Sequence, residues 1–246
     1  MKLPPDKRLL VIIPAYNEQD SLAQVISSVF DAVPEADVVV VNDGSRDDTA
    51  KVAASVGARV INLTYNLGIG AAVQTGFILA AEEHYDYAVQ VDGDGQHDPY
   101  EMRVILEPLL ADMADVVIGS RYIEERGYVT PWQRRTGIKI LAGFVSLLAR
   151  QCYTDTTSGF RASNRRAIEL CAQHYPADYP EPESLMTFRK MGLQVIEVPA
   201  SMNPRYAGRS SITPFWSGYY MIKVMLAVSI LFLRRAPYLR DGQHVS

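Results

Sequence analysis

A chain of 246 residues with 48% hydrophobic and 21% charged residues can bury a sizeable core, which excludes wholesale disorder. Cys152 and Cys171 lack metal-type spacing and read as packed free thiols, and four scattered histidines argue against a zinc site. The net charge of −4 conceals a polarity: residues 1–120 carry 7 basic and 19 acidic groups, whereas residues 121–246 carry 17 and 9, so the second half is suited to anions such as phosphates, nucleic acid or an acidic membrane surface.

In chain order, the first half alternates short apolar runs with amphipathic ones. Residues 9–13 (LLVII), 37–42 (DVVVVN), 58–63 (ARVINL), 87–91 (YAVQV) and 115–120 (DVVIGS) read as strands covered on both faces. The first run is too short for a signal-peptide core and is interrupted by Pro14, so a cytosolic catalytic part is expected. Leu22, Val25, Ile26, Val29, Phe30 and Val33 share one helical stripe, as do Met102, Ile105, Leu106, Leu109, Leu110 and Met113. Asp20 or Ser21 can cap the first helix, and Asp98 before Pro99 the second. This order predicts an α/β fold, a Rossmann-like, mostly parallel sheet flanked by helices.

After Ser120 the pattern loosens. A polar loop leads to an apolar helical stretch over 137–149, then TSGFRASNRRAIEL, the Glu-rich YPEPE and an edge-strand candidate, LQVIEVP. The closing apolar run, 219–233, spans roughly 22 Å at 1.5 Å per residue, short of the ~30 Å hydrocarbon core. With Tyr219, Tyr220 and Trp216 at one end and Arg234 and Arg235 at the other, it is expected to lie in a membrane interface; a core helix or subunit contact is the alternative. The expected division is a catalytic unit over 1–212, halved at 120/121, and a C-terminal interfacial or oligomerisation helix over 213–246.

Three expected strand ends carry polar clusters: PAYNE (14–18), NDGS (42–45) and DGDGQHD (92–98). Each alone is an ordinary turn, but together they place carboxylates along the sheet edge where ligands of such folds sit. A calcium loop counted from Asp92 fails, because its sixth and twelfth positions are His97 and Arg103. GIGAAV (68–73) lacks the third glycine of a dinucleotide fingerprint. What remains is an Asp92–Asp94 pair able to hold a hard divalent cation together with a diphosphate, with Gln96 and His97 as further candidate ligands.

In combination, PAYNE, NDGS, VDGDGQHDP, GSR, SGFRA and RYAGRSS resemble the family 2 inverting glycosyltransferases of GT-A fold, over roughly residues 8–212, and among them the polyprenyl- and dolichyl-phosphate sugar synthases. The resemblance implies that Pro14, Ala15, Tyr16 and Glu18 contact the nucleoside, that Asp43 beside Ser45 reads the base, and that Gly70 and Ala71 close over the nucleotide. Asp92 and Asp94 correspond to the DxD pair that binds metal and diphosphate, with Gln96 as a third ligand. Arg121, Arg134 and Arg135 correspond to phosphate contacts, and Arg205 to the arginine that clamps the diphosphate, with Ser210 nearby; Ser211 stands where the family often has lysine.

The implied function is Mg2+- or Mn2+-dependent transfer from a nucleoside-diphosphate sugar to a polyprenyl phosphate at the cytoplasmic membrane face. The implied partners are those substrates, the membrane surface and a small membrane protein or second copy through the C-terminal helix, with no nucleic acid. Transfer to a saccharide hydroxyl would instead need a general base, for which Glu183 or Glu181 is the candidate. A catalytically silent nucleotide-sugar-binding subunit is the reading of a different class.

Overall fold

The computed structural model describes residues 3–124, 132–204 and 214–234. Its strands are β1 (Leu9–Ala15), β2 (Asp37–Asn42), β3 (Arg59–Asn62), β4 (Tyr87–Gln90), β5 (Val116–Ser120), β6 (Arg161–Asn164) and β7 (Val195–Pro199). They form one sheet in the order β3-β2-β1-β4-β6-β5-β7, with β7 at an edge. β6 runs antiparallel to β4 and β5, and the other pairings are parallel.

Every residue of β1 is buried, as expected of a strand covered on both sides. Its side chains alternate between two cores. Leu9, Val11 and Ile13 pack with α1 (Leu22–Ala32), α2 (Thr49–Ser55) and α4 (Met102–Leu110). Leu10 and Ile12 pack with α3 (Ile69–Glu82), α5 (Trp132–Ala149), α6 (Arg165–Gln173), α7 (Pro180–Lys190) and α8 (Pro214–Leu233).

The register decides where the loops fall. Ala15 stands beside Asn42, Ile12 beside Gln90, and Arg161 beside both Gln90 and Ile118. The carboxyl ends of β1, β2, β4 and β5 therefore share an edge with the start of β6, because β6 is reversed. That reversal brings SGFRA from the second half against the aspartates of the first.

Several local expectations need correction. α4 stops at Leu110, so Met113 leaves the apolar stripe and is exposed. Ser21 occupies the N-cap of α1 but its hydroxyl makes no cap; it donates to the Gly93 carbonyl at 2.7 Å, tying α1 to the acidic loop. Cys152 is exposed, and only Cys171 is packed.

The last helix has two faces. Val224 and Val228 are buried in the core shared with α5 and α7, while Tyr219, Ile222, Leu226 and Ile230 are exposed. The Lys190 ammonium, at the end of α7, donates to the carbonyls of Leu231 and Arg234, placing a cation at the negative end of α8. No described helix is long and apolar enough to cross a membrane.

Candidate active site

The loops after β1 and β2 are laced together. Asn17, held in the left-handed region (φ 55°), donates its N–H to Ser45 Oγ at 2.9 Å and accepts the Arg46 N–H on Oδ1 at 2.9 Å. Glu18 donates its N–H to Thr49 Oγ1, and Asp43 donates its own to the Ala15 carbonyl. Tyr16 remains 42% exposed, available to a ligand face.

Asp43 is buried, and its two carboxylate oxygens accept the N–H groups of Leu67 (2.7 Å) and Gly68 (2.9 Å). It thereby fixes the loop that starts α3, where Gly70 and Ala71 follow. Gly70 has a packing reason to be glycine: a Cβ there would lie 2.3 Å from the Pro176 carbonyl oxygen.

The fourth strand ends in the acidic pair. Asp94 is buried and accepts the Gln96 N–H at 2.9 Å. The Asp92 side chain is 28% exposed; its Oδ1 meets Gln90 Nε2 at 3.3 Å and its Oδ2 lies 3.5 Å from His97 Nε2. Gly159, just before β6, leaves this corner open, since a Cβ there would lie 2.8 Å from Gln90 Nε2 and 3.5 Å from Asp92 Oδ1. The Gln96 carbonyl accepts the N–H of Asn203, two residues before Arg205, at 2.8 Å. Asp98 is separate from the pair and caps the next turn through the Tyr100 N–H, as expected.

Two oxygen-rich carboxylates and the half-buried Gln96 are a donor set that fits Mg2+ or Mn2+. Among the described residues no three His, Cys, Asp or Glu side chains converge as a metal site.

The arginines are more committed than their sequence context suggests. Arg121 forms a forked pair with the fully buried Asp155, Nε to Oδ2 at 2.6 Å and Nη2 to Oδ1 at 2.7 Å, and Nη2 also donates to Thr157 Oγ1 at 2.8 Å. Burial opposes its charge, but the bonds to Asp155 outweigh that and raise its pKa. Arg161, which sequence reasoning placed only within a motif, is buried and clamps the start of α7: it donates to the Ser158 carbonyl, Ser184 Oγ and the Glu181 carbonyl. Asp155 and Arg161 had no signal beyond their motif neighbourhood, because pairing across 34 residues requires the fold. Arg135 lies in the first turns of α5, partly buried. The side chain of Arg134, and Arg205, Ser210 and Ser211 entirely, lie outside the described residues.

The two glutamates of YPEPE separate. Burial raises the Glu181 carboxyl's pKa; Arg161 counteracts this and Asp92 adds to it, so this group belongs electrostatically to the acidic corner. Burial, then the neighbouring Asp178, pushes Glu183 up to about 7, in surroundings that involve neither Asp92 nor Arg121.

Comparison with known proteins matches the Glycosyl transferase family 2 model over residues 10–169. The chain is 36% identical over 220 residues to an undecaprenyl-phosphate mannosyltransferase of Micrococcus luteus, covering 84% of this chain and 88% of that one. It is 32% identical to a polyprenol monophosphomannose synthase of Mycolicibacterium smegmatis, over 85% and 82% of the two chains. In structure it resembles glucosyl-3-phosphoglycerate synthase of Mycobacterium tuberculosis, solved with Mn2+, UDP and glucosyl-3-phosphoglycerate (TM-score 0.69, 22% identity, 92% of this chain and 80% of that one). The chain therefore belongs to glycosyl transferase family 2: it is a glycosyltransferase of GT-A fold.

Proposed function

We propose that the protein moves a sugar from a nucleoside-diphosphate sugar to a polyprenyl phosphate, with inversion at the anomeric carbon and dependence on Mg2+ or Mn2+. One observation carries the reading: the Asp92–Asp94 pair sits where strand ends converge, in a chain similar along most of its length to enzymes named for undecaprenyl- and polyprenol-phosphate mannosyl transfer.

The donor half lies over β1, β2 and β4. Tyr16 offers an aromatic face to the nucleoside. Asp43 already holds two backbone N–H groups, yet a carboxylate has about four acceptor positions, which leaves room for an N–H of the base. Asp92, Asp94 and Gln96 would hold the cation, which when bound neutralises charge on the departing diphosphate. An oxygen of the acceptor phosphate forms the new bond to the anomeric carbon as the bond to the nucleoside diphosphate breaks. That phosphate is ionised near neutral pH, so no strong base is required of the protein, whose task is orientation and exclusion of water.

A polyprenyl tail would stay in the bilayer while its head group reaches the sheet edge. The exposed apolar residues Tyr219, Ile222, Leu226 and Ile230 of α8, ending at Arg234, support peripheral attachment at the cytoplasmic face. The competing acceptor is a saccharide hydroxyl. In that case the environment of Glu181 beside Asp92 favours it over Glu183 as the base.

A thermal-shift screen of UDP- and GDP-sugars with Mn2+ or Mg2+, followed by product analysis against polyprenyl phosphate and a saccharide panel, tests the reading. Polyprenyl-phosphate sugar formed only with the cation supports it. Product confined to saccharide hydroxyls overturns it.

A further inference from the structure

We propose that His97 is a positioning residue for Asp92 and not a metal ligand, and that with Gln90 it holds the Asp92 carboxylate in the orientation a cation requires. The inference rests on the metal-dependent reading above and concerns how this chain prepares that site.

The hydrogen-bond inventory of the ring decides the question. Nδ1 of His97 accepts the Asp92 N–H at 3.0 Å, so its lone pair is used. The neutral ring then carries its proton on Nε2, which lies 3.5 Å from Asp92 Oδ2. Neither nitrogen keeps a lone pair for a metal. The ring thus bonds the Asp92 backbone and turns its N–H side toward the carboxylate of the same residue.

This arrangement is enclosed. The imidazole is 4% exposed and packs on Phe160, with ring centroids 5.0 Å apart. The His97 backbone bridges to Met202, which anchors the loop from outside. On the other carboxylate oxygen, the Gln90 amide lies 3.3 Å from Oδ1. Gln90 is itself buried on β4, and the absent side chain of Gly159 leaves space for its amide. Asp92 therefore has a neutral donor facing each oxygen, which limits rotation of the carboxylate without cancelling its charge. Outer partners of this kind commonly contribute about 10–100-fold to metal affinity or activity.

The test is Mn2+ binding by the full chain, measured by electron paramagnetic resonance with Mn2+ alone and with added UDP or GDP. His97→Phe keeps the ring's size and its packing on Phe160 but removes both nitrogens. Its Mn2+ affinity should fall about 10–100-fold, and His97→Gln, which can return an amide donor, should recover part of it. Pulsed measurements on the wild type should show no 14N coupling from a metal-bound imidazole. Such a coupling, or unchanged Mn2+ affinity in a folded His97→Phe, overturns the inference while leaving the metal reading intact. Should His97→Phe fail to fold, Gln90→Met removes the contact to Oδ1 alone and should also weaken Mn2+ binding; unchanged affinity there overturns the inference equally. Wild-type protein that binds no Mn2+ with either nucleotide overturns the metal reading, and this inference falls with it.

Discussion

Two pairs lie at the same edge of the sheet: Arg121, just after β5, with Asp155 of the segment before β6, and Asp92 with Asp94, just after β4. The first joins opposite charges through two short bonds, with Asp155 fully buried and Thr157 sharing the fork. The second keeps like charges two residues apart: Asp94 accepts the Gln96 N–H, and Asp92 meets the Gln90 amide and faces the His97 ring. The ion pair already balances its own charge and fixes Arg121 through Nε and Nη2. Two carboxylates side by side suit a hard divalent cation, and that difference separates a pair that braces the site from the pair proposed to act in it.

The comparison breaks if substitutions fail to sort accordingly. Arg121→Met leaves Asp155 as a buried, unpaired carboxylate, so it should lower stability by about 3–5 kcal/mol, read as a fall in urea midpoint. The double change Asp92→Asn, Asp94→Asn should do the reverse. It should lower kcat by about 100–1,000-fold, or about 2.7–4 kcal/mol of barrier, in a sugar-transfer assay, while the urea midpoint holds or rises. Stability lost in the aspartate variant, with activity retained, would erase the distinction.

Smaller effects sharpen it. Gly70→Ala pushes a methyl group against the Pro176 and Ala177 carbonyls, so overpacking should cost about 1–3 kcal/mol and loosen the contact between α3 and the loop before α7. Differential scanning calorimetry checks this, and an unchanged melting temperature would mean that the loop yields freely. The smallest effect concerns Glu183. Its carboxyl holds a proton up to about pH 7 in the folded protein, against an ordinary value of 4.5. The stability contributed by that proton is complete below about 4.5 and is lost as pH rises through about 7. Glu183→Gln should therefore melt above the wild type at pH 8 and together with it at pH 4. A gap that widens toward low pH would contradict the assignment.

Much of this was legible from the chain alone, for identifiable reasons. Continuous apolar runs such as LLVII mark strands buried on both faces, and their alternation with 3.6-period stripes leads to an α/β sheet with its polar loops on one edge. Asp98 as a cap follows from Pro99 beside it. Asp92 and Asp94 stand out because glycine spacing permits close approach of the backbone. Other roles were hidden. Ser21 looks like a cap, yet its hydroxyl is drawn to Gly93, 72 residues away. Arg121 reads as a phosphate contact, and its forked pairing with Asp155 is invisible in the sequence. Glu181 and Glu183 are indistinguishable as letters, and only helix geometry turns one toward Asp92.

The sequence by itself determined the alternation of strands and helices up to Ser120, the carboxylate pair after β4 and the family, because local periodicity and motif spacing are properties of neighbouring residues; β6, inside SGFRASN, carries no such pattern. Tertiary structure alone decided that β6 runs backwards beside β4, that Asp155 neutralises Arg121, and that His97 spends its one lone pair on the Asp92 amide. Each of those depends on contacts between segments distant in the chain or on the direction of a side chain, and neither quantity is encoded by pattern.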